Sequence, residues 1–510
     1  MSGDRLAGPP QTIRDAFLRR VTDNPDDGFV YHVDGSWSFG EVDAHVRALE
    51  ESIAPQLDNG SARPIGVYAG NELAAVVGLL CVWRLGRPAA ICGRQLPPGS
   101  AGRLLTDAEC PLILSSDQSL AEVAGDVVPI LDHAVGHRSD TPGEARRSAP
   151  DEPTVGSAAC ICFSSGTTGK PKAMMLSHEQ LVSQVTRISG GAGFAPAVSG
   201  RPMVSFSPFG HSAFLSRLAL ALWIGRGVAL VPKFTVGAAR EVVQRFRPRS
   251  LALTPSMIQM LATSPDDIDL SGLSWVSSST APLREDVRER FTSRFGVTIL
   301  QAYGMTEVGN ISIERMADIA AGNRPRGSVG RVSPGRDVRI VDGAGRVLAD
   351  GAEGEIVVRD TSAAKGVPNS LPLDADGYFH TDDRGAFTAD GILTLTGRNS
   401  DMIIVGGFNV SPAEIEDALQ ASGLVENSAV VGVPDDRLGE VPAAAVVWRA
   451  DADEETLRGI LRRDLAGYKV PRAFAAVPAI PLTAYGKVDR VSVRRHVMSS
   501  INISASTQSS

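Results

Sequence analysis

Residues 163–172 bring together, in one short segment, the types of side chain that are able to bind phosphate. They read Phe163, Ser164, Ser165, Gly166, Thr167, Thr168, Gly169, Lys170, Pro171 and Lys172. Glycines let a backbone approach an anion closely, and hydroxyl and ammonium groups donate hydrogen bonds to it. The segment is not a Walker A loop, because Pro171 follows Lys170 where that motif has Ser or Thr. A hydroxyl-rich turn alone is usually solvated, but two lysines directly after an apolar strand favour a phosphate loop.

Alternating strands and helices must position this loop. Strands are predicted at 65–68, 89–92, 158–163, 203–207, 228–230, 251–254, 273–277 and 298–301. Helices are predicted at 40–52, 72–85, 179–189, 214–223, 236–246 and 283–295. Such alternation is typical of parallel sheets with helices on both faces. The predicted fold class is therefore α/β, with two doubly wound αβαβα subdomains in a large N-terminal domain.

The pattern changes from residue 327 onwards. Short β-rich segments at 338–341, 355–359 and 392–396 predict a distorted β-barrel, and the remainder predicts a small α+β domain. Its elements are a helix at 412–421, strands at 428–433 and 443–448, and a helix at 454–465. We expect an N-terminal domain over 1–397 with an internal surface loop at 134–155, a hinge at 398–401, a C-terminal domain over 402–498 and a Ser-rich disordered tail at 499–510.

Composition limits the function classes. The 510 residues are 43% hydrophobic and 21% charged, as in globular proteins of several domains. A net charge of −8 argues against a general nucleic-acid-binding protein. The most apolar stretch, 214–231, is interrupted by Arg217 and Arg226, and no signal peptide is visible, so we predict no membrane span and a cytoplasmic location. The five cysteines lack zinc-ligand spacing and are expected to be buried thiols.

Six further segments follow the phosphate loop in a fixed order. They are Ser279-Thr280-Ala281-Pro282-Leu283, Tyr303-Gly304-Met305-Thr306-Glu307, Tyr378-Phe379-His380-Thr381-Asp382-Asp383, Gly397-Arg398, Val405-Gly406-Gly407-Phe408 and Gly486-Lys487-Val488-Asp489-Arg490. With the loop, they resemble the adenylate-forming superfamily of acyl-CoA synthetases, peptide-synthetase adenylation domains and luciferase-like ligases. The pattern is most similar to acyl- and aryl-CoA ligases and covers nearly the whole chain.

The resemblance implies a reaction and its phosphate ligands. An acid oxygen attacks the α-phosphate of ATP, pyrophosphate leaves, and the acyl group passes to a thiol of CoA or of carrier-protein phosphopantetheine. The phosphate loop then holds the β- and γ-phosphates, Thr306 an α-phosphate oxygen, and Glu307 a Mg²⁺ ion, which prefers carboxylate and phosphate oxygens. Outside this family, a Thr-Glu pair is usually a helix cap with an acidic first turn.

The nucleoside ligands are also implied by the resemblance. Backbone groups of Ser279, Thr280, Ala281 and Pro282 are assigned to the adenine, as are Tyr303, Gly304 and Met305. Asp383 is suited to accept from the ribose hydroxyls, and Arg398 to donate to the same sugar. Taken singly, Tyr303 is otherwise a core tyrosine, and the two charged residues are otherwise members of surface ion pairs.

Lys487 is the principal catalytic candidate. Its flexible ammonium suits the charge that develops between the acid oxygen and the phosphoryl group, although a lone loop lysine is usually only solvated. The resemblance implies a mobile C-terminal domain that carries Lys487 for adenylation and then rotates. Rotation would bring in Gly406 and Gly407, which leave room for a thin thiol-bearing arm, with Tyr468, Lys469 and Arg472 near the CoA nucleotide.

The acid pocket is assigned to the segment 207–213. It contains no Asp of the kind that pairs with the amino group of α-amino acids in peptide-synthetase adenylation domains. His211 resembles the gate of acyl- and aryl-CoA ligases and is included among the catalytic candidates; the alternative is a core or capping histidine. Further candidate pocket walls are Phe206, Phe209, Ser256, Thr280 and Met305. The acid itself is left open.

Two departures from the family pattern keep other functions open. Asp382 replaces a usual Gly, and Ser400 replaces the usual hinge Asp or Lys. The acceptor can then be an amine, giving an amide or N–N bond, or the acid can be inorganic, as in nitrite-using diazotases. A non-catalytic nucleotide-binding regulator is the third alternative, against which Lys487 argues, because binding alone does not need it. The expected partners are a small acid and, if the acceptor is the thiol of a protein-bound phosphopantetheine, an acyl carrier protein. The oligomeric state stays open.

Overall fold

The computed structural model describes residues 9–57, 62–122, 124, 126–130, 156–165, 171–190, 193–196, 200–360, 372–450, 452–483 and 487–507; for 164, 165, 171, 172 and 502–507 it describes the backbone only. The chain folds into two compact units. The first comprises 1–316, 333–336 and 360–372, and the second 317–332, 337–359 and 373–510. The two units are described separately below.

Helices occur throughout both units. The described α-helices are α1 (Ile13–Asp23), α2 (Phe39–Ile53), α3 (Leu73–Arg84), α4 (Pro98–Asp107), α5 (His178–Ile188), α6 (Ser212–Ile224), α7 (Val236–Phe246), α8 (Pro255–Thr263), α9 (Glu285–Phe295), α10 (Met316–Ala320), α11 (Pro412–Ala421), α12 (Glu454–Asp464) and α13 (Arg490–Thr507). Short 3₁₀ turns lie at Ala54–Gln56, Gln118–Glu122 and Gly467–Lys469.

Strands alternate with these helices. In chain order they are β1 (Gly28–His32), β2 (Gly35–Ser38), β3 (Ile65–Ala69), β4 (Ala89–Gly93), β5 (Ile113–Ser115), β6 (Val127–Pro129), β7 (Ala158–Ser165), β8 (Pro171–Ser177), β9 (Met203–Ser205), β10 (Val228–Leu230), β11 (Ser250–Leu253), β12 (Trp275–Ser278), β13 (Ile299–Met305), β14 (Gly309–Ile313), β15 (Ser328–Val332), β16 (Arg336–Val341), β17 (Gly354–Asp360), β18 (Phe379–Phe387), β19 (Leu393–Arg398), β20 (Ile403–Val405), β21 (Phe408–Val410), β22 (Val425–Asp435), β23 (Gly439–Trp448) and β24 (Phe474–Ala476).

The first unit has the predicted α/β architecture. One sheet has the order β6-β5-β3-β4-β7-β8, with every neighbouring pair parallel except the edge pair β7–β8. A second has the order β2-β1-β10-β9, and β11, β12 and β13 are parallel neighbours flanked by antiparallel β14. Helix α3 is buried from Leu73 to Trp83, so its almost continuous apolar sequence reflects packing on all sides. The α/β prediction is confirmed.

The second unit is β-rich and then α+β, also as predicted. Strands follow the order β15-β19-β18-β17-β16, and a later sheet has the order β21-β20-β23-β22 with β24 beside β23. An apolar core joins that later sheet to α11, α12 and α13. Helix α13 runs to Thr507 and includes residues 499–507, where composition predicted a disordered tail. Val493 and Val497 are fully buried on this helix, so its packed first turns support its continuation.

No helix in the described ranges is both long enough and apolar enough to cross a bilayer.

Candidate active site

The predicted phosphate loop lies at the end of a β-hairpin. Strands β7 and β8 pair Ser164 with Lys172 and Ser165 with Pro171, and the connecting residues Gly166, Thr167, Thr168, Gly169 and Lys170 lie outside the described residues. Because β8 is an edge strand, a proline without an N–H donor is tolerated there. The next helix, α5, begins only after β8, with Ser177 as its N-cap. The loop therefore joins two antiparallel strands and does not lead directly into a helix.

Thr306 and Glu307 occupy the turn of a second hairpin. Met305 at the end of β13 pairs with Gly309 at the start of β14, so Thr306, Glu307 and Val308 connect the strands. Gly304 is required there, because a Cβ atom would clash with the Gly309 carbonyl oxygen. Tyr303, predicted at the adenine, is 7% exposed and pairs with Ser312 across the hairpin. The Thr306–Glu307 pair is thus not a helix cap.

The Thr306 turn adjoins the predicted acid segment. The Thr306 hydroxyl oxygen lies 3.1 Å from that of Ser212, the first residue of α6. His211 is the N-cap of this helix, and its Nδ1 accepts a hydrogen bond of 3.0 Å from the Ala213 amide. A neutral His211 therefore carries its proton on Nε2. His211 therefore caps the helix, and the capping hydrogen bond orients the ring of this predicted gate residue.

A buried asparagine that sequence reasoning did not single out fixes the acid segment. Asn71 donates to the carbonyl oxygens of Ser207 at 2.9 Å and Val231 at 3.0 Å, and its Oδ1 accepts from the Phe209 amide at 2.6 Å. Gly210 has a φ of +92°, and a Cβ atom there would lie 2.6 Å from the Gly93 nitrogen. The segment therefore packs closely against the end of β4 in one conformation.

The phenylalanines predicted as pocket walls are core residues. Phe206 is 4% exposed and packs edge-on against Phe234, while Phe209 is 1% exposed and packs edge-on against Phe214. Their rings fill two separate apolar cores of the first unit. The partly exposed residues of α6 are thus better placed to line a pocket.

A cluster of charged residues, Arg336, Asp360 and Arg187, supports the backbone of the Thr306 turn. Arg336 donates hydrogen bonds to the carbonyl oxygens of Val308 and of Asn310, the latter at 3.2 Å. It also forms an ion pair of 2.9 Å with Asp360, which pairs with Arg187 at 3.2 Å. Burial, together with the charge of Arg187, lowers the pKa of Arg336 to about 10 against the opposing effect of Asp360. Arg336 remains charged at neutral pH and fixes the backbone beside Glu307.

The predicted adenine segment is a strained turn at the end of β12. Thr280 has a φ of +77°, in the left-handed region that β-branched residues rarely adopt. The Gln301 side chain donates to the Ala281 carbonyl at 3.1 Å, and the Gln301 backbone amide donates to buried Glu314 at 2.7 Å. Such strain persists only where surrounding contacts determine the conformation, and it often marks functional sites. Residues 279–282 lie at the carboxyl edge of parallel strands, where α/β sheets bind ligands.

The predicted ribose ligands contact each other in the second unit. Asp383 on β18 accepts from the Arg398 Nε on β19 at 2.6 Å, and the two residues are register partners. The Thr381 hydroxyl accepts from the Asp383 amide at 3.1 Å and donates to the Ile356 carbonyl at 2.7 Å. Burial alone would lower the pKa of Arg398, but the Asp383 carboxylate raises it. The ion pair holds the two side chains together on neighbouring strands.

The backbone conformation at Asp382 explains why the family usually has Gly there. Its φ is +66°, in the left-handed region, where Asp is tolerated better than most residues. Its carboxylate accepts from the Ser400 amide at 3.2 Å, and its carbonyl accepts from the Asn399 amide at 2.7 Å. Asp382 therefore holds the predicted hinge segment 398–401 against β18.

We expect Asp382→Ala to be less stable than Asp382→Gly by about 1 kcal/mol, because alanine incurs the left-handed penalty and glycine does not. Both variants lose the carboxylate that accepts from Ser400, so the comparison isolates backbone strain. Urea denaturation of the two proteins measures the difference. Equal midpoints would show that residue 382 carries no backbone strain.

Lys487 lies on an exposed turn of the second unit. Its carbonyl accepts from the Thr483 amide at 2.7 Å, and its amide donates to the Thr483 hydroxyl at 3.2 Å, while residues 484–486 lie outside the described part. Three residues later, Arg490 forms ion pairs of 3.0 Å with both Asp401 and Glu416. The segment that presents Lys487 is thereby attached to the residue that ends the predicted hinge.

Gly406 and Gly407 form the two-residue turn between β20 and β21. Their φ values are +57° and +90°, as in hairpin turns that require glycine-like residues. Phe408, which follows, is 59% exposed and stacks on Tyr468 with ring centroids 4.9 Å apart. Lys469, predicted near the CoA nucleotide, donates to Glu414 at 2.6 Å. Turn geometry alone thus accounts for both glycines.

Comparison with known proteins decides the family. The model of the family described as AMP-binding enzyme matches residues 17–367, and that of the AMP-binding enzyme C-terminal domain matches residues 414–487. The chain belongs to the AMP-binding enzyme family. The predicted resemblance is confirmed, and the chain is an AMP-forming ligase.

Relatives in the AMP-binding enzyme family cover almost the whole chain. A 4-coumarate–CoA ligase-like 9 from Oryza sativa subsp. japonica is 32% identical over 90% of this chain and 87% of that protein. A sulfoacetate–CoA ligase from Cupriavidus necator is 28% identical over 94% of this chain and 96% of its own. The solved structure of the amide bond synthetase McbA from Marinactinospora thermotolerans has a TM-score of 0.80 and 27% identity, covering 94% of this chain and 98% of that one.

The described residues are compatible with Mg²⁺ that is held mainly by nucleotide. Among them, no cluster of three or more His, Cys, Asp or Glu side chains is able to hold a metal ion. Mg²⁺ usually keeps several waters and takes one or two carboxylates together with substrate phosphates. Glu307, a half-buried residue on the hairpin turn, has a carboxylate of the type that such a site takes.

Proposed function

We propose that this protein adenylates a small organic acid with ATP and passes the acyl group to a thiol of CoA or carrier-protein pantetheine. One observation carries the proposal: Thr306 and Ser212 are in contact, with their hydroxyl oxygens 3.1 Å apart. Thr306 is the proposed ligand of the α-phosphate, and Ser212 begins the helix that follows the proposed acid segment. Adenylation requires the acid to lie beside the α-phosphorus. This contact connects the proposed α-phosphate ligand to the proposed acid segment.

The proposed first step forms one bond and breaks one. A carboxylate oxygen of the acid bonds to the α-phosphorus, and the bond from that phosphorus to the bridging oxygen of pyrophosphate breaks. The Thr306 hydroxyl, the phosphate loop and the Lys487 ammonium stabilise the negative charge on the phosphoryl oxygens. Glu307 would hold Mg²⁺ together with the phosphates, and the ion would supply positive charge there. Asp383 and Arg398 orient the ribose, which fixes the angle of approach.

The proposed second step transfers the acyl group. A thiol sulfur bonds to the acyl carbon, the carbon–oxygen bond to AMP breaks, AMP leaves, and the thiol proton passes to solvent. The Gly406–Gly407 turn and the exposed Phe408–Tyr468 stack support this step, because a turn without side chains leaves room for a narrow arm and aromatic faces stack on nucleobases. The CoA ligase relatives also support a thiol acceptor.

An amine acceptor is the second candidate. The amide bond synthetase named above resembles this chain over nearly its whole length, which favours keeping this possibility. An amine would attack the same acyl carbon and displace the same AMP. Adenylation is common to both candidates, so the acceptor alone separates them.

An acid panel tests the proposal. The purified protein is incubated with ATP, Mg²⁺ and single acids, both aromatic and aliphatic, and pyrophosphate is measured with and without CoA. We expect pyrophosphate with at least one acid and a thioester when CoA is added. An amide formed with added arylamine, and no thioester with CoA or with pantetheine-loaded carrier protein, would replace the thiol proposal by the amine one.

A further inference from the structure

Arg217 is the one charged residue in the sequence of helix α6. The helix reads Ser-Ala-Phe-Leu-Ser-Arg-Leu-Ala-Leu-Ala-Leu-Trp-Ile from Ser212 to Ile224. Its other side chains are apolar or hydroxyl-bearing. A cation in such a helix is costly unless an anion or a set of acceptors compensates it. The position of Arg217 on the helix therefore indicates what compensates it.

Arg217 lies on the partly exposed face of α6, the face that also carries Ser212, which contacts Thr306. Ser212, Ala213, Ser216 and Arg217 are partly exposed, whereas Phe214, Leu215, Leu218 and Leu222 are buried. At about 100° per residue, the partly exposed positions cover an arc of about 140°, with Ser212 at one edge of this stripe and Arg217 at the other. Ser212 contacts Thr306 at one end of the stripe, and Ser216 accepts from Gln184 of α5 at 2.8 Å. The stripe leads from the proposed reaction centre to Arg217.

No protein anion compensates Arg217 within the described ranges. No carboxylate there forms an ion pair with its guanidinium, and no acceptor there hydrogen-bonds it. Burial lowers the pKa of Arg217 to about 10, and no acidic neighbour opposes that effect. By contrast, buried Arg336 and Arg187 share Asp360. At neutral pH Arg217 is thus a charged donor, and none of its hydrogen-bonding capacity is used by the described residues.

We propose that Arg217 binds a second anionic group of the acid, a carboxylate or sulfonate at the end remote from the reacting carboxylate. The inference rests on the proposed adenylation function and narrows its substrate class to dianionic acids. Arg217 is five residues beyond Ser212, which corresponds to about 7.5 Å along the helix and about 140° around it, a separation that a long arginine side chain is able to span. An acid lying along the stripe would thus place its reacting carboxylate beside Thr306 and its second anion beside the guanidinium. The planar guanidinium fork suits both oxyanions.

Pairs of acids that differ only in the distal anion test this inference. Hexanoate is compared with adipate, and benzoate with 4-carboxybenzoate, by pyrophosphate release from the full-length protein. We expect at least one dianionic acid to have a kcat/KM about 10-fold or more above its monoanionic partner, from one charge-assisted contact. Arg217→Met should remove that advantage by raising KM for the dianionic acid about 10- to 100-fold, with kcat little changed.

Two further variants separate recognition from folding. Arg217→Lys retains the charge without the fork and should give an intermediate KM. Arg226→Met, beyond the end of α6, removes an arginine of the same chain segment and should change neither class of acid. The unfolding temperature of Arg217→Met should equal or exceed that of the wild type, because the lost guanidinium has no protein partner in the described residues.

The outcomes distinguish the role of Arg217 from the proposed adenylation function. Pyrophosphate release that is equally efficient with monoanionic acids, and is unchanged in Arg217→Met, would overturn the role of Arg217 and leave adenylation standing. A marked drop in the unfolding temperature of Arg217→Met would show a structural role and overturn it too. If no acid of any kind releases pyrophosphate, the proposed function fails, and this inference fails with it.

Discussion

Lys487→Ala is expected to lose acyl-adenylate formation by about 10²- to 10³-fold and to keep thioester formation from a supplied acyl-adenylate. Removing one donor that stabilises developing transition-state charge typically has this effect. The ammonium is not needed in the second step, where sulfur attacks carbon and AMP leaves. Pyrophosphate release measures the first half-reaction, and thioester formation from synthetic acyl-adenylate and CoA measures the second.

Lys233→Ala is the matched control, because Lys233 is an exposed lysine with no assigned role. It should leave both half-reactions unchanged. If Lys487→Ala released pyrophosphate at the wild-type rate, the assignment of Lys487 would be wrong. If both half-reactions fell together, the exposed turn would have a structural effect beyond its charge.

Arg336→Met should destabilise the first unit by about 3 kcal/mol, because it leaves the Val308 and Asn310 carbonyls without this donor and unbalances Asp360. In the protein that remains folded, adenylation should fall on the order of 10²-fold, since the turn that carries Thr306 and Glu307 loses its support. Chemical denaturation measures the first effect. Pyrophosphate release by the folded fraction measures the second.

Arg339→Met is the control for this variant. Arg339 lies on the same strand, β16, but its side chain is 42% exposed and its contact with Asp337 is 3.4 Å long. Exposed pairs of this kind contribute less than about 1 kcal/mol, so we expect a small change in stability and none in adenylation. Equal losses of stability in both variants would contradict the special role of the Arg336 cluster.

Local sequence patterns predicted many elements of the fold, for a physical reason, and missed others such as α1, α8, β5 and β14. In the first unit, strands such as β3, β4 and β10 are short apolar runs buried on both faces, and helices such as α3 and α7 have continuous apolar sequence or strong periodicity. Helix α7 was predicted with the bounds that the structure has, Val236–Phe246. Helices such as α4, which begins with Pro-Gly-Ser, have weaker local patterns and were not predicted.

The supports of the site were not predictable from one sequence. The side chains of Asn71, Gln301 and Arg336 act through partners at least 20 residues away, such as Ala281 and Phe209. An isolated Asn, Gln or Arg carries no local pattern that reveals such partners. The positive φ at residue 382 was not predicted, although the glycine that the family usually has there is a signal for it.

The roles assigned to ligand-binding residues remain predictions. The structure explains why His211, Gly406 and Gly407 occupy a helix cap and a hairpin turn, which are local reasons for their residue types. Those reasons are compatible with binding roles but do not require them. Kinetic separation of the half-reactions is therefore needed for these residues.

In the proposed reaction, an oxygen of the acid becomes bonded to the α-phosphorus of ATP. Carboxylic acid labelled with ¹⁸O at both oxygens, incubated with the enzyme, ATP, Mg²⁺ and CoA, tests it directly by mass spectrometry of the nucleotide product. We predict AMP that carries a single ¹⁸O atom from the acid, with unlabelled pyrophosphate. Unlabelled AMP, or label recovered in inorganic phosphate together with ADP, would contradict it.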